Sequence, residues 1–387
     1  MLEITSKECC GCRACENICP IKCIEIIENK EGYLLPQIDK TRCINCDLCS
    51  KICPFKNFNL KGSIEGKVIY SKNDNIRELG SSGGIFPELA NYIIRQNGIV
   101  YGAGFNENLE LEIVGISNFK DIKILSKSKY LQANMKDNYL KIKKELDEDK
   151  LILFVSTPCY IQALKNFLNR EYSNLIVVDL VCRGVPNQKL FNSNREWYLK
   201  KGINISEYEF RYKGSKLNSS KVFKLKTNEG EKIGVNIEEP YYYLFSKYIS
   251  LRESCYNCKF ATFKRCSDIT IGDFHNTKIL GSDDERLRGV SSLLINTEKG
   301  KKIFENIKEN FNFYNIELEK IIYSNGNLYK PTSSKEAEKF REDMKKLSYE
   351  ELIKKYGYYS LKNRIKIKYY SLPKIFQKMI RKILIRG

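Results

Sequence analysis

The sequence predicts a chain that is α+β at its start and α/β beyond it. A small cysteine-dense module over residues 1–60 precedes a mixed α/β body over 67–150 and 151–330, and a helical, basic C-terminus follows over 335–387. Three observations predict this. Ten of the fifteen cysteines lie between Cys9 and Cys53; short apolar runs alternate with helical patterns from residue 67 onward; and residues 362–387 hold nine Lys or Arg and no acid. At 387 residues the chain exceeds one ordinary core, so two or three domains are expected. Hydrophobic residues at 42% suffice for buried cores, and charged residues at 29% are ordinary for a soluble protein. No run approaches roughly 18 apolar residues, and MLEITSKECC lacks the apolar stretch of a secretory signal. The expected setting is the cytoplasm, where reduced thiols in clusters read as metal ligands rather than disulfides.

Within residues 1–60, Ile24 to Asp39 reads as a hairpin turning at Asn29–Gly32. The body opens with the strand VIYS, a helix after Ser81–Gly84, the strand GIVYGAGF and a helix near 133–148. Leu151–Ser156 is a short fully apolar run of the kind found in buried parallel strands, and Leu175–Val181, LIVVDLV, repeats the pattern. Residues 203–237 read as antiparallel strands with a polar face, and helices rich in Lys follow from about Lys335.

The module's cysteines carry the clearest chemistry. Cys9, Cys12, Cys15 and Cys19 follow C-x2-C-x2-C-x3-C with Pro20 next, and Cys43, Cys46, Cys49 and Cys53 repeat that spacing with Pro54 next. Three close thiolates wrap three irons of a cubane, and the fourth iron takes a remote ligand; in two-cluster ferredoxins the fourth Cys of each run serves the other cluster. One [4Fe–4S] cluster is therefore assigned to Cys9, Cys12, Cys15 and Cys53, the other to Cys43, Cys46, Cys49 and Cys19. A zinc ribbon uses two separated C-x2-C pairs and fits this pattern poorly. Cys10 and Cys23 fall off the pattern and read as small packing residues.

Five cysteines remain. Cys159 and Cys182 follow predicted strands, at the ends where α/β proteins place their sites. Cys255 and Cys258 form a C-x2-C pair. Together these four would complete a third cluster; the alternative is two buried cysteines and a structural zinc or nothing, and Cys266 could replace one ligand. Three clusters, each about −2 with its thiolates, would reduce the formal charge of +19 but leave the protein basic.

No dinucleotide fingerprint or P-loop is present. Ser81-Ser82-Gly83-Gly84 could cradle an anion at a helix start, though a serine cap explains it equally. His275 is the only histidine, which argues against hydrolytic dyads. A flavin needs little side-chain acid–base help. Lys129 and Arg183 are candidates to hold an anionic cofactor or substrate.

The two cysteine runs, GYLLPQID, SSGGIFPELA, SKYLQ, STPCYIQALK, VDLVCRGVP and SCYNCKF…SDITIGDF stand in an order that resembles the beta-subunit family of coenzyme F-420 hydrogenases and dehydrogenases, in the bacterial form with a fused ferredoxin. The resemblance covers roughly residues 1 to 345. It implies an α/β flavoprotein binding FAD, with Cys159, Cys182, Cys255 and Cys258 holding a further [4Fe–4S] cluster. It also implies Ser82, Gly83, Gly84, Ser128, Lys129, Tyr130 and Thr157 around the flavin, and makes Cys266 a bystander. Tyr160, Arg183 and His275 depart from the family's usual residues, so F-420 specificity is not carried over, and two of the three are expected in the substrate pocket.

The expected function is an oxidoreductase passing electrons from the ferredoxin clusters through the third cluster to FAD and an unknown small-molecule acceptor. The alternative is an electron-transfer subunit without substrate chemistry. A ferredoxin or another subunit is the expected partner, and nucleic acid is not. The tail LKNRIKIKYYSLPKIFQKMIRKILIRG reads either as an interfacial amphipathic helix broken at Pro373, touching an anionic membrane at its inner face, or as a basic helix docked on the protein's own core.

Overall fold

A computed structural model describes residues 2–215, 217, 219, 221–275, 288–372, 376–377 and 379–380. The N-terminal module is built on a hairpin of β1 (Ile24–Glu28) and β2 (Leu34–Ile38), paired antiparallel from Ile24 opposite Ile38 to Glu28 opposite Leu34. The turn is set by Asn29, whose side-chain oxygen accepts from the amides of Glu31 and Tyr33, and by Gly32 at φ +88°. Two short helices, Ala14–Ile18 and Leu48–Lys51, continue the two cysteine loops.

The body carries an eight-stranded mixed sheet. Its strands are β3 (Glu65–Ser71), β4 (Ile99–Phe105), β5 (Leu111–Ile116), β6 (Ile152–Ser156) and β7 (Leu175–Leu180) from the first half of the chain. A separate three-stranded sheet of β8 (Ile205–Glu209), β9 (Val222–Thr227) and β10 (Gly230–Val235) intervenes. The large sheet is then completed by β11 (Ile269–Asp273), β12 (Ser291–Ile295) and β13 (Phe311–Asn315), giving the order β13-β3-β12-β11-β7-β6-β4-β5. The central run β4-β6-β7-β11 is parallel, while β5 on one side and β12, β3 and β13 on the other are antiparallel. The apolar runs expected to be buried parallel strands are β6 and β7, paired from Ile152 opposite Leu175. Residues 203–237 form the expected antiparallel sheet.

Segments 67–150 and 151–330 therefore contribute interleaved strands to one sheet. One core joins the module to the body: Leu2, Ile24, Ile52 and Phe55 pack in the same cluster as Tyr139, Tyr160, Phe167 and Phe260. Helices Ala337–Met344, Tyr349–Lys355 and Leu361–Ser371 close the described chain. The last does not gather its apolar residues on one face. Asn363 is its buried residue, with its side-chain amide donating to Ile237 and Tyr358 carbonyls, whereas Leu361 and Ile365 are exposed. The tail's expected amphipathic stripe is thus absent over this helix, and its break at Pro373 and final basic residues lie outside the described residues. No described helix is long and apolar enough to cross a membrane.

Candidate redox centres and an adjoining cleft

The two cysteine runs repeat in backbone as well as in spacing. Gly11 and Arg13 have φ +67° and +62°, and the matching Asn45 and Asp47 have +54° and +57°. Left-handed residues between the cysteines curl each loop back on itself; glycine and Asn tolerate that region best. The Gly11 amide donates to the Cys9 sulfur at 3.4 Å.

Each loop faces a cavity. One is lined by Cys9, Cys12, Cys15 and Cys53, with Cys10 beside them. The other is lined by Cys19, Cys43, Cys46 and Cys49, with Cys23 beside them and its sulfur 3.5 Å from that of Cys19. The four cysteines of the first cavity are buried, whereas Cys46 of the second is exposed. Among the described residues no three Cys, His, Asp or Glu side chains lie close enough together to share one metal ion; a cubane, with thiolates spread over its corners, does not require that.

The first cysteine loop turns its backbone to the body, and four successive carbonyls of it meet side chains from there. Arg252 Nε donates to Cys9 O at 2.5 Å and Gln132 Nε2 to Cys10 O at 2.8 Å. Tyr160 reaches Gly11 O at 3.2 Å, sharing its proton with Ala133 O at 2.7 Å, and Tyr139 donates to Cys12 O at 2.9 Å. Tyr160, one of the three departures from the family's usual residues, is thus engaged in docking the module.

Beyond this seam lies a second group of thiols. Cys159 opens the helix Pro158–Leu168 directly after β6, and Cys182 stands just past β7. Cys255 and Cys258 come from the turn Glu253–Asn257 and its end. The Cys182, Cys255 and Cys258 thiols all lie within electrostatic reach of Cys159. Burial pushes the Cys182 thiol up to about 12 and the Cys258 thiol up to about 11. Gly184, at φ +112°, donates its amide to the Cys182 sulfur at 3.4 Å. A Cβ there would fall 2.8 Å from Cys255 Cβ, so only glycine lets these segments meet. The Cys10 thiol interacts with those of both Cys12 and Cys159, linking the two groups. Cys266 is turned aside, its sulfur 3.4 Å from Pro158 O.

Buried Arg265 ties these segments together. It pairs with Asp179 on β7 at 2.8 Å and donates to the carbonyls of Phe260 and Thr262. Its backbone bridges Lys61 at the module's exit.

Beside the end of β11 a cleft of about 470 Å³ is lined by Arg77, Ser82, Arg211, Lys213, Asp273 and His275, among others. Arg211 pairs with Asp273 at 2.7 Å and donates to Tyr130 Oη and Ser81 O. Although burial pushes the Asp273 carboxyl up, the Arg211 guanidinium holds it below its usual range. Lys213 Nζ donates to Arg77 O and Ser82 O, and burial lowers its pKa to about 7.

The residues expected around a flavin divide between these places. Ser82 lines the cleft and donates to Val290 O at 2.7 Å. Gly83 gives its amide to Ser291 Oγ, and Gly84, at φ +84°, is itself the helix cap. No serine side chain caps this helix, so the serine-cap alternative falls. Ser128 bonds Ser81 Oγ through its amide and hydroxyl. Tyr130 stacks on Phe245 with centroids 4.5 Å apart. Lys129 turns to the carbonyls of Ser126 and Lys127, and burial lowers its pKa to about 7. Thr157 stands with the thiols, Oγ1 3.3 Å from Cys159 Sγ. Arg183 is held by Tyr248 and by His275, 3.3 Å away. The sequence reading missed Arg77, Arg211, Lys213 and Asp273; the signal available was the alternation of cations in Arg211-Tyr212-Lys213.

A ferredoxin-like module with two cysteine-lined cavities, docked on a large mixed sheet, defines an iron–sulfur protein of oxidoreductase type. Residues 149–320 match the family model for the C terminus of the coenzyme F420 hydrogenase/dehydrogenase beta subunit, and residues 8–57 match the 4Fe-4S dicluster domain. The chain thus carries the C-terminal domain of the coenzyme F420 hydrogenase/dehydrogenase beta-subunit family behind a 4Fe–4S dicluster domain. Among solved structures it is similar to a chain of the F420-reducing [NiFe] hydrogenase complex from Methanosarcina barkeri, at 16% identity and TM-score 0.45, covering 79% of this chain and 96% of that one. No curated protein matches.

Proposed function

We propose that the chain is an iron–sulfur flavoprotein oxidoreductase. In this reading Cys9, Cys12, Cys15 and Cys53 hold one [4Fe–4S] cluster, and Cys19, Cys43, Cys46 and Cys49 hold a second. Cys159, Cys182, Cys255 and Cys258 hold a third. FAD lies in the body by Ser82, Gly83, Gly84, Ser128, Lys129, Tyr130 and Thr157. Residues 1–60 are the ferredoxin domain, 67–150 and 151–330 the two parts of the flavin-binding body, and 335–387 a helical tail.

The observation that carries the reading is Cys10, whose thiol interacts with those of both Cys12 and Cys159. Two thiol groups that adjoin inside one core suit electron transfer better than two independent structural metals. The donor sets fit their groups. Buried thiols whose pKa is raised need a metal to be held as thiolates, and the amides of Gly11 and Gly184 already point at Cys9 and Cys182 sulfurs. The cleft fits a phosphate-bearing cofactor: its volume lies in the range of ligand sites, and Lys213 brings an amine bonded, among the described residues, to two carbonyls.

When bound, the clusters exchange electrons singly and the flavin singly or in pairs, which connects a one-electron protein partner to a two-electron small-molecule acceptor. The chain's own residues bind and orient. Arg211, fixed by Asp273, holds Tyr130 and Ser81 at the cleft wall. The seam of Arg252, Gln132, Tyr160 and Tyr139 fixes the first cysteine loop against the body.

The test is to purify the chain without oxygen, precipitate it with acid and measure flavin in the supernatant, with iron counted in parallel. About one FAD and roughly twelve irons per chain are expected. Bound iron without flavin would favour the second reading, an electron-transfer subunit docking to a catalytic partner. The net charge of +19, able to steer acidic partners, favours that reading.

A further inference from the structure

Arg252 is among the largest side chains wholly buried in the protein. Its guanidinium donates to Cys9 O at 2.5 Å, Leu34 O at 2.7 Å and Gln132 Oε1 at 2.9 Å, all neutral acceptors. Among the described residues no carboxylate pairs with it. Tyr33 lies beneath it, ring centroid 5.3 Å away. Contact with the cysteine loop is so close that a Cβ on Gly11 would fall 2.7 Å from Arg252 Nη1. By contrast the body's other wholly buried arginine near the thiols, Arg265, has Asp179.

A buried guanidinium without a counterion is strongly disfavoured, and folded proteins pair such charges or set them against metal centres. The ionisable groups that act on Arg252 are thiols and the Tyr160 hydroxyl, and the thiols become anions when they bind iron. Those of Cys9, Cys10 and Cys255 all act on it, so it stands between the first module cavity and the Cys159 group. A [4Fe–4S] cluster with four thiolates carries about −2 when oxidised and gains one further negative charge on taking up one electron. The second cavity has an exposed ligand, Cys46, and no buried cation among its lining residues.

We propose that Arg252 is the countercharge of the inner cluster, the one assigned to Cys9, Cys12, Cys15 and Cys53, and raises its reduction potential above that of the outer cluster at Cys19, Cys43, Cys46 and Cys49. The one-electron reduction by dithionite adds negative charge beside a fixed positive one, with no proton required. The gradient makes inward transfer from the exposed cluster favourable. Arg252 acts here as a positioning and tuning residue through the cluster's ligands.

This rests on the ligand sets proposed above, which iron counts of Cys53→Ser and Cys46→Ser chains check separately and which assign the paramagnetic signals. The test is a dithionite titration of the full-length chain, monitored by paramagnetic resonance, for wild type, Arg252→Gln and Arg252→Lys. At the ambient potential that half-reduces the wild-type inner cluster, Arg252→Gln is expected to lower its reduced-to-oxidised ratio at least about tenfold, equivalent to about 59 mV for a one-electron couple. Arg252→Lys is expected to recover most of that, and the outer cluster to stay unmoved in both. Loss of the inner cluster's iron in Arg252→Gln but not in Arg252→Lys also supports the countercharge. Equal shifts in both clusters, no shift, equal effects of Gln and Lys, or loss of the cluster in both variants would overturn the proposal and leave Arg252 a hydrogen-bonding scaffold.

Discussion

Replacing Asp179 by Asn tests how the thiols of the body are held in place. Asp179 and Arg265 are almost completely buried, with the guanidinium reaching both carboxylate oxygens at 2.8 to 3.3 Å. Asn keeps the shape and removes the charge, leaving a buried guanidinium facing neutral acceptors. Removing one partner of a buried ion pair costs about 3–5 kcal/mol. The carbonyls of Phe260, Thr262 and Leu180 also accept from Arg265 and remain in the variant, so about 3 kcal/mol is expected. The loss should be felt locally. Arg265 ties the strand leading to Cys182 to the loop after Cys258, and its backbone clasps Lys61. Anaerobic urea unfolding of the full chain would give the stability change from the shift in midpoint at unchanged slope, with iron counted before unfolding. The expected result is a loss of about 3 kcal/mol, together with preferential loss of about four irons of roughly twelve. A loss below about 1 kcal/mol, as for a surface ion pair, with iron retained would refute the reasoning and show that the carbonyls alone satisfy Arg265.

Cys159→Ser is expected to lower bound iron by about four per chain while Cys266→Ala leaves it unchanged, because Cys266 turns to Pro158 O; iron and sulfide assays read both. Gly83→Ala places a Cβ 2.4 Å from Ile69 O and should destabilise by about 1–3 kcal/mol, whereas Gly62→Ala, with nothing within 4 Å, should not, as urea midpoints would show. The folded pKa of Lys213, about 7, lies below its ordinary 10.5. The unfolded chain therefore binds the extra proton between those values, and this group's contribution to stability rises with pH across that window and is lowest below it. An anion in the cleft reverses the shift, so FAD binding near pH 8.5 should take up a proton, measured calorimetrically in buffers of different ionisation enthalpy. Lys213→Met should abolish the uptake, and uptake unchanged in that variant would place the proton elsewhere, Lys129 being the other lysine lowered to about 7.

Local spacing makes the module readable. A cubane demands thiolates at fixed intervals on tight loops, so Cys9–Cys19 and Cys43–Cys53 announce their chemistry without tertiary information, and Asn45 and Gly11 mark the left-handed positions the loops need. Strands β6 and β7 are equally readable, since strands buried on both faces are nearly continuous apolar runs, interrupted here by Asp179. The cleft is not. Arg77, the neighbours Arg211 and Lys213, and Asp273 come from three separate parts of the chain, and a local pattern does not distinguish a cation that will be buried from one left in water. The same holds for Arg252 and Arg265. Tyr160 reads in the sequence as a departure bearing on substrate, yet its hydroxyl serves the carbonyls of Gly11 and Ala133; only the docked module reveals that role. The tail misleads through composition: its apolar and basic residues recur, but over Leu361–Ser371 their spacing does not return them to one helical face.

A ferredoxin domain joined by a flexible tether would swing between partners, and its cluster loops would be finished by water. Here the carbonyls of Cys9, Cys10, Gly11 and Cys12 are finished by Arg252, Gln132, Tyr160 and Tyr139 of the body. Separating the module would exchange these four bonds for bonds to water at a net cost of about 1 kcal/mol each, expose the shared core around Phe55 and Phe260, and leave Arg252 without its loop. Each of those terms opposes opening, and they act together because one seam carries them all. The module is therefore a fixed part of the body, with the first cavity inside and the second, bearing exposed Cys46, at the surface. In the proposed reading a redox partner would meet the second cavity, where Cys46 is exposed, since the four cysteines of the first are buried.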